Sequence, residues 1–390
     1  MKTSTSQPDP SPKPVVAHLH RSYLAISETF IYQHLTHLKR YHPVMLARRT
    51  ENLANFPFAS VHSIAQQSRP VQAWNYLALK LFGQQPYFAQ VLRQLKPALL
   101  HAHFGSEGVN ALSLCRALNR PLLTTFYGKD LFQLPREARW QKAYQRLFRE
   151  GSGFVVLGSH MKRELLALGC PEEKIYLCHI GVDLTRFSFK PRTISPSEPV
   201  RLLMCGRLIE KKGVVYALQA LAQVVQDTPA VQLRIIGDGP LRAELETLIL
   251  TLHLQEHAKI LGYLSHQAYA QEMAQAHIFL APSVRAADGD SEGTPTVILE
   301  AQAAGLPVLG TTHADIPEIV GVKEPGFLVP ERDVPSLSAT LKMMLHNPQR
   351  WPEWGETGRQ HIEADYEIHH VTRTLETIYD TVCEKHRTSQ

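Results

Sequence analysis

The chain has 390 residues, 44% of them hydrophobic and 20% charged, a balance that provides for two domains with separate cores and excludes disordered and collagen-like classes. No apolar run approaches the roughly 20 residues that a membrane-spanning helix needs, and the polar, Pro/Ser-rich stretch from Met1 to Pro14 does not read as a secretory signal. Residues 1–190 carry 24 Lys/Arg against 11 Asp/Glu and residues 191–390 carry 17 against 25, so the net +5 divides into halves of +13 and −8.

Short apolar runs bounded by turn residues alternate with amphipathic stretches, the signature of βα units on a parallel sheet. A first series of strands is expected at Val15–His20, Val44–Arg48, Leu99–Phe104, Leu122–Phe126, Phe154–Leu157 and Ile175–Ile180. Ser27, Glu28 and Thr29 precede the first helix, whose start should point toward a ligand; capping alone also accounts for them. Trp74, Tyr76, Leu77, Leu79, Leu81 and Phe82 form an apolar cluster. His101 and His103 face one side of their strand; as a pair they lack the further ligands of a metal site, and His103 is read as lining a cleft. From Arg136 to Arg149, Trp140, Tyr144, Leu147 and Phe148 share one helical face and Arg139, Lys142, Arg146 and Arg149 the other. Such a helix fits either an anionic lipid surface or a core with a solvated back.

Pro191, Pro196 and Pro199 mark an extended linker, placing a first domain at 1–190 and the linker at 191–200. A second domain at 201–351 follows, with strands at Arg201–Cys205, Gln232–Ile236, Lys259–Leu261, Ile278–Ala281, Pro307–Leu309 and Phe327–Val329. A helical segment at 352–390 has no further strand to serve and is expected to return to the first domain. The fold class is therefore α/β, two doubly wound domains facing a central cleft, each binding ligands beyond the carboxyl ends of its strands.

The second domain carries the chemistry. In Glu292-Gly293-Thr294-Pro295-Thr296-Val297-Ile298-Leu299-Glu300, Thr294 can cap a helix, Pro295 suits its first position, and Gly305 with Pro307 ends it. Free N–H groups at that start suit a phosphate. Glu292, just before that start, and Glu300, about 8 Å further along the axis at roughly 1.5 Å per residue, can take hydroxyls on opposite sides of it. Gly206-Arg207-Leu208-Ile209-Glu210-Lys211-Lys212-Gly213 leaves the first strand of this domain, and Arg207 and Lys212 can hold a diphosphate; Lys211 is read as a solvated surface residue. Gly237 and Gly239, at the end of the next strand, permit a nucleotide to approach closely. Asp288-Gly289-Asp290 reads as a turn rather than a metal site. His253 and His257, at helical spacing without an adjoining Glu, read as surface residues.

These strings, with Ala281-Pro282-Ser283, Ser27-Glu28-Thr29-Phe30, His101-Ala102-His103-Phe104-Gly105, Thr125–Leu131 and Gly181-Val182-Asp183, resemble retaining glycosyltransferases of the GT-B fold (glycosyl transferases group 1, family 4). The Ala287–Gly293 loop is similar to that of bacterial exopolysaccharide transferases of the colanic acid type. The resemblance covers most of the chain. It implies that Glu292 faces the donor hexose, that Glu300 binds the ribose, and that Arg207 and Lys212 neutralise the leaving diphosphate. Gly206, Gly237, Gly239, Gly293, Thr296, Val297 and Ser27 would complete the donor site, with His103, Tyr127 and Asp130 on the acceptor side. It also implies a retained anomeric configuration, no metal, and no cofactor beyond the nucleotide-diphosphate sugar.

Two positions depart from that family. Tyr127-Gly128 stands where many relatives have His before Gly, and Thr312–Glu318 replaces a loop that often begins with Gly. The expected partners are a nucleotide sugar and a saccharide or lipid-linked saccharide acceptor, with no nucleic acid. An anionic membrane surface also suits the basic half, although solubility explains that charge equally well. Five cysteines without C-x-x-C spacing fit a cytoplasmic protein, free or peripheral on the inner face of the cell membrane. The rival functions are a nucleotide-sugar epimerase, a glycan phosphorylase and a non-catalytic nucleotide-sugar-binding subunit.

Overall fold

The computed structural model describes residues 12–25, 28–195, 198–321 and 327–388. Apolar runs rich in Val, Ile and Leu form strands that are largely buried on both faces, as parallel sheets covered by helices require. They are β1 Val15–Tyr23, β2 His42–Thr50, β3 Val61–Ser63, β4 Leu99–His103, β5 Leu122–Thr125, β6 Gly153–Val156, β7 Ile175–Leu177, β8 Val200–Cys205, β9 Val231–Ile236, β10 Ala258–Gly262, β11 Ile278–Ala281, β12 Val308–Thr311 and β13 Phe327–Val329.

The first sheet has the order β3-β2-β1-β4-β5-β6-β7 and the second β10-β9-β8-β11-β12-β13. Each places its first strand centrally and reverses its winding beside it. Val16 of β1 pairs with Leu99 of β4, and Leu202 of β8 with Ile278 of β11, in parallel register. The points between β1 and β4 and between β8 and β11 are thus the switch points beyond which such sheets bind ligands.

The chain divides into two compact units, one of residues 1–125, 150–153 and 375–390, the other of residues 126–149 and 154–374. In the second unit, Leu202, Leu218, Leu221, Leu233, Leu280 and Trp351 belong to one core. The helix Val214–Val224 buries Val214, Ala217, Leu218 and Leu221, the i, i+3, i+4, i+7 stripe that directs one face inward. In the first unit, the helix Ile368–Thr388 is held near its middle by Glu376, whose Oε1 accepts the backbone N–H groups of Lys39 and Arg40 at 2.7 and 2.6 Å.

The structure amends several expectations. β3 is too short for its three residues to stand out as a strand. β7 ends at Leu177 rather than Ile180, because it is an edge strand and the chain then leaves toward the bridge between Val182 and Glu367. In the linker, Arg192 is buried and donates to the carbonyls of Ala274 at 2.8 Å and Ala304 at 2.5 Å. The helix read over Arg136–Arg149 spans Ala138–Glu150 and buries Tyr144, Leu147 and Phe148, with Arg139, Lys142, Arg146 and Arg149 exposed. Its apolar face is therefore occupied by protein and is not offered to lipid.

Candidate active site

The switch point of the second sheet gathers the segments that leave β8 and β11. A pocket there is lined by Gly206, Lys212, Ser283, Pro295, Val297 and Ile298, among others. Next to it, the carboxylate of Glu292 is buried, with Oε1 2.7 Å from Lys212 Nζ and 3.3 Å from Ser283 Oγ. Lys211, expected to be solvated, is turned inward: Nζ lies 3.1 Å from Asp290 and 3.8 Å from Glu292, donates to the Ser291 carbonyl, and only 15% of its side chain is exposed. The short 3₁₀ turn Glu210–Lys212 sends both lysine side chains to the same carboxylate. Burial alone raises the Glu292 carboxyl, but the charges of Lys212 and Lys211 outweigh it and hold the group below the usual carboxylate range. Arg207 is exposed and makes no ion pair among the described residues.

The helix that follows runs Thr296–Ala303 with Pro295 at its N-cap, so Thr294 does not cap it, and its buried Oγ1 has no hydrogen-bond partner among the described residues. Pro295 takes the cap because its extended backbone already turns the chain into the helix. Thr296 and Val297 open the helix. Glu300 lies one to two turns along, where it accepts from the Tyr269 hydroxyl, and burial pushes its carboxyl up to about 7. Nothing in the spacing of the sequence pointed to Tyr269.

The glycines are required for close packing within the protein. A Cβ on Gly237 would lie 1.9 Å from the Gly206 carbonyl oxygen, and one on Gly239 2.6 Å from that of Leu208. The close approach they permit is therefore between two strand-end loops of the protein itself. Likewise, a Cβ on Gly293 would lie 2.2 Å from the Tyr127 carbonyl oxygen, so the Tyr127-Gly128 turn packs directly on the Glu292-Gly293 backbone. Asp130, read as an acceptor-side residue, is buried, and its Oδ1 accepts the N–H groups of Tyr127 and Gly128, each at 3.0 Å. It shapes that turn, and Tyr127 remains partly accessible. Asp288-Gly289-Asp290 is a turn, as expected: Asp290 is engaged by Lys211, and the Asp288 carboxylate by Gln133.

His313 and Glu331 were absent from the expected site. His313 is buried, Nδ1 lies 2.6 Å from Glu331 Oε1, and Nε2 lies 3.1 Å from the Glu292 backbone nitrogen and 3.0 Å from Ser291 Oγ. His313 stands in the segment Thr312–Glu318, where the sequence departs from a glycine-led loop; that departure was the available signal.

In the first unit, Ser27 lies outside the described residues. Glu28 precedes the helix Thr29–His37 without capping it through its side chain, and its Oε2 accepts the Ala25 N–H at 2.9 Å. His103 is wholly buried and lines no cleft: the pleat of β4 turns His101 and His103 inward against His18 of β1. A third histidine thus joins the expected pair. The His18 and His103 rings are nearly parallel, 15° apart, with Nδ1 to Nε2 at 3.0 Å, the geometry of a hydrogen bond between rings, and His101 bridges the Tyr379 and Thr125 hydroxyls at 2.8 and 2.7 Å. Burial lowers all three, His18 to about 3.

Residues 186–361 match the family described as Glycosyl transferases group 1, and residues 27–186 that described as Glycosyltransferase Family 4. The chain is 33% identical over 352 residues to the putative colanic acid biosynthesis glycosyltransferase WcaL of Escherichia coli K12, covering 85% of this chain and 86% of that protein. It is 32% identical to the amylovoran biosynthesis glycosyltransferase AmsK of Erwinia amylovora, over 77% of each. Among solved structures it resembles Anabaena Alr3699/HepE in complex with UDP and glucose, with a TM-score of 0.75 and 17% identity over 94% of this chain and all of that one. The lipopolysaccharide outer core galactosyltransferase WaaB matches with a TM-score of 0.70 and 16% identity over 94% of this chain and 99% of that one. These structural likenesses bear on the fold, which is GT-B.

Proposed function

This chain belongs to the group 1 (family 4) glycosyltransferases, and from that premise we propose that it transfers a hexose-type sugar, with retention and without a metal, from a nucleotide-diphosphate sugar to a polysaccharide or lipid-linked saccharide acceptor. The exopolysaccharide relatives WcaL and AmsK support a role in polysaccharide assembly. The observation that carries the reading is the buried Glu292 carboxylate held by Lys212 and Lys211 at the β8/β11 switch point.

The positive charges of Lys211 and Lys212 are matched by Asp290 and Glu292. An arriving diphosphate recruits Arg207, which is exposed and makes no ion pair among the described residues, and competes with Glu292 for Lys212. Glu292 is then left to accept hydroxyl hydrogen bonds from the sugar. The cations gain in value as negative charge accumulates on the departing diphosphate. Glu292, held below the ordinary carboxylate range by the lysines, is a weak proton acceptor at neutral pH. That suits front-face attack, in which an oxygen of the leaving phosphate takes the acceptor's proton as the new glycosidic bond forms and the old one breaks. Metal independence is supported by the commitment of Asp290 to Lys211 and of Asp288 to Gln133.

For the acceptor, the helix Arg69–Phe82 exposes Trp74, Tyr76, Leu77, Leu81 and Phe82. Arg69 and Lys80 flank this apolar surface, and the first half of the chain is strongly basic. This combination favours an anionic membrane surface carrying a lipid-linked acceptor, reached from the cytoplasmic side. No described helix is long and apolar enough to cross a membrane.

Incubation with labelled UDP-, GDP- and ADP-sugars and a lipid-linked acceptor, followed by product mapping, tests the reading. A transferred sugar with the donor's anomeric configuration, formed equally in EDTA, supports it. An isomerised nucleotide sugar without acceptor, or release of sugar phosphate, replaces it with the epimerase or phosphorylase alternative. Binding without turnover replaces it with the non-catalytic subunit.

A further inference from the structure

Glu292 is held at two levels. Its carboxylate is fixed by Lys212, Lys211 and Ser283, whereas its backbone N–H points at His313 Nε2, 3.1 Å away. A backbone N–H can only donate, so Nε2 must present a lone pair, and the imidazole proton sits on Nδ1, directed at Glu331 Oε1 at 2.6 Å. Ser291 Oγ, 3.0 Å from the same Nε2, is then also a donor. The second oxygen of Glu331 accepts the Arg285 N–H at 2.8 Å. One carboxylate therefore ties both the imidazole and the loop that starts beyond β11 and ends at Glu292. The base of that loop is fixed by Thr311, whose hydroxyl donates to the Ser283 carbonyl at 2.5 Å.

We propose that His313, as the Nδ1-protonated neutral tautomer, and Glu331 are positioning residues that set the place of Glu292 against the bound sugar. The inference rests on the reading of Glu292 as the residue that meets the donor hexose. A histidine that only filled the core would need no particular tautomer and would leave Glu292 unaffected. Here the nitrogen whose protonation state is fixed is the one that receives Glu292 itself. Protonation of Nε2 would set N–H against N–H and release residues 291 and 292 together. Among the described residues, the ring's hydrogen-bonding partners are Glu331 from beyond β13, whose other oxygen also pairs with Arg332 at 3.5 Å, and Ser291 and Glu292 from the loop, the latter carrying the lysines on its carboxylate.

The test compares His313→Ala, His313→Gln and Glu331→Gln in the full chain. His313→Ala is expected to lower kcat by roughly 10–100-fold, the effect of displacing a contact group by about 1 Å, with the affinity for the nucleotide diphosphate alone essentially unchanged. The extra affinity contributed by the sugar of the intact donor falls with kcat. His313→Gln, whose side-chain carbonyl can still accept the Glu292 N–H, recovers most of the loss. Glu331→Gln lies between, since its amide oxygen still accepts from Nδ1 but the Arg285 N–H is left unanswered. Independently, a two-bond 1H–15N spectrum of wild-type protein labelled on histidine, with His313 assigned by its disappearance in His313→Gln, is expected to place the proton on Nδ1 at neutral pH. A proton on Nε2, or wild-type kcat in His313→Ala, overturns the proposal. A wild-type chain that binds no nucleotide sugar, yet has the Nδ1 tautomer, contradicts the functional reading and leaves the tautomer and its link to Glu292 standing.

Discussion

Lys212 Nζ and Glu292 Oε1 lie 2.7 Å apart, both largely buried, at the carboxyl ends of neighbouring central strands. Each prevents the other from standing as an isolated charge in a poorly hydrated place, so the cation is already ordered for the diphosphate that the proposed function assigns to it. Lys212→Ala or Arg207→Ala is expected to lower transfer by roughly 10²–10³-fold, the effect of losing one charge-stabilising donor. Lys211→Ala is expected to cost less, because Lys211 reaches Glu292 only at 3.8 Å and serves mainly Asp290 and Ser291. Steady-state rates at saturating donor check the ranking; Lys211→Ala as damaging as Lys212→Ala contradicts it.

The Glu300 carboxyl, raised by burial to about 7, changes charge within the working range of pH. If Glu300 meets the ribose as proposed, its ionised form accepts the ribose hydroxyls more strongly, so donor affinity is expected to rise between pH 6 and pH 8. The intact nucleotide sugar is the right ligand for calorimetry, because its diphosphate has no terminal group that titrates there. Glu300→Gln should weaken binding at pH 8 and flatten the dependence; a slope that persists in this variant assigns the titration to another group.

Burial lowers His18 to about 3 and His34 to about 4, and His101 and His103 well below their ordinary value. Folding thus favours their neutral forms. Above the unfolded value of about 6.5 neither state binds protons, and stability is complete. As pH falls below it, only the unfolded chain is protonated, and each such imidazole removes stability at up to about 1.4 kcal/mol per pH unit. Urea midpoints are expected to fall steeply from pH 7 to pH 5, and less steeply in His18→Asn. Equal slopes in the two proteins would exclude His18 as a source.

The apolar surface of the helix Arg69–Phe82 gives a separate prediction. Co-sedimentation with anionic vesicles is expected to fall in a Trp74→Ser/Leu81→Ser variant, while transfer to a soluble acceptor analogue is preserved. Equal binding to neutral and anionic vesicles contradicts the electrostatic part of the reading.

Most strands were legible in the sequence because parallel strands buried on both faces appear as unbroken apolar runs, and their ends are off by only a few residues. β3 was missed because three residues make no pattern. Of the candidate site residues, Arg207 and Lys212 stand out through the string 206–213 and Glu292 and Glu300 through the string 292–300, with the family likeness of both. His313, Glu331 and Tyr269 do not, since each reaches the site from a distant segment through a single side chain. The inward turn of Lys211 depends on the carboxylates of Asp290 and Glu292, about 80 residues away in sequence. The misreading of His103 has a simple source: a residue at a strand's carboxyl end was assumed to face a ligand, whereas it packs on a neighbouring strand.

The most direct measurement is a crystal structure of the chain with an intact nucleotide sugar. The account predicts Lys212 Nζ and the Arg207 guanidinium about 3 Å from diphosphate oxygens, Glu292 on a hexose hydroxyl and Glu300 on the ribose. A nucleotide bound elsewhere, with the 2.7 Å Lys212–Glu292 pair undisturbed, would contradict it.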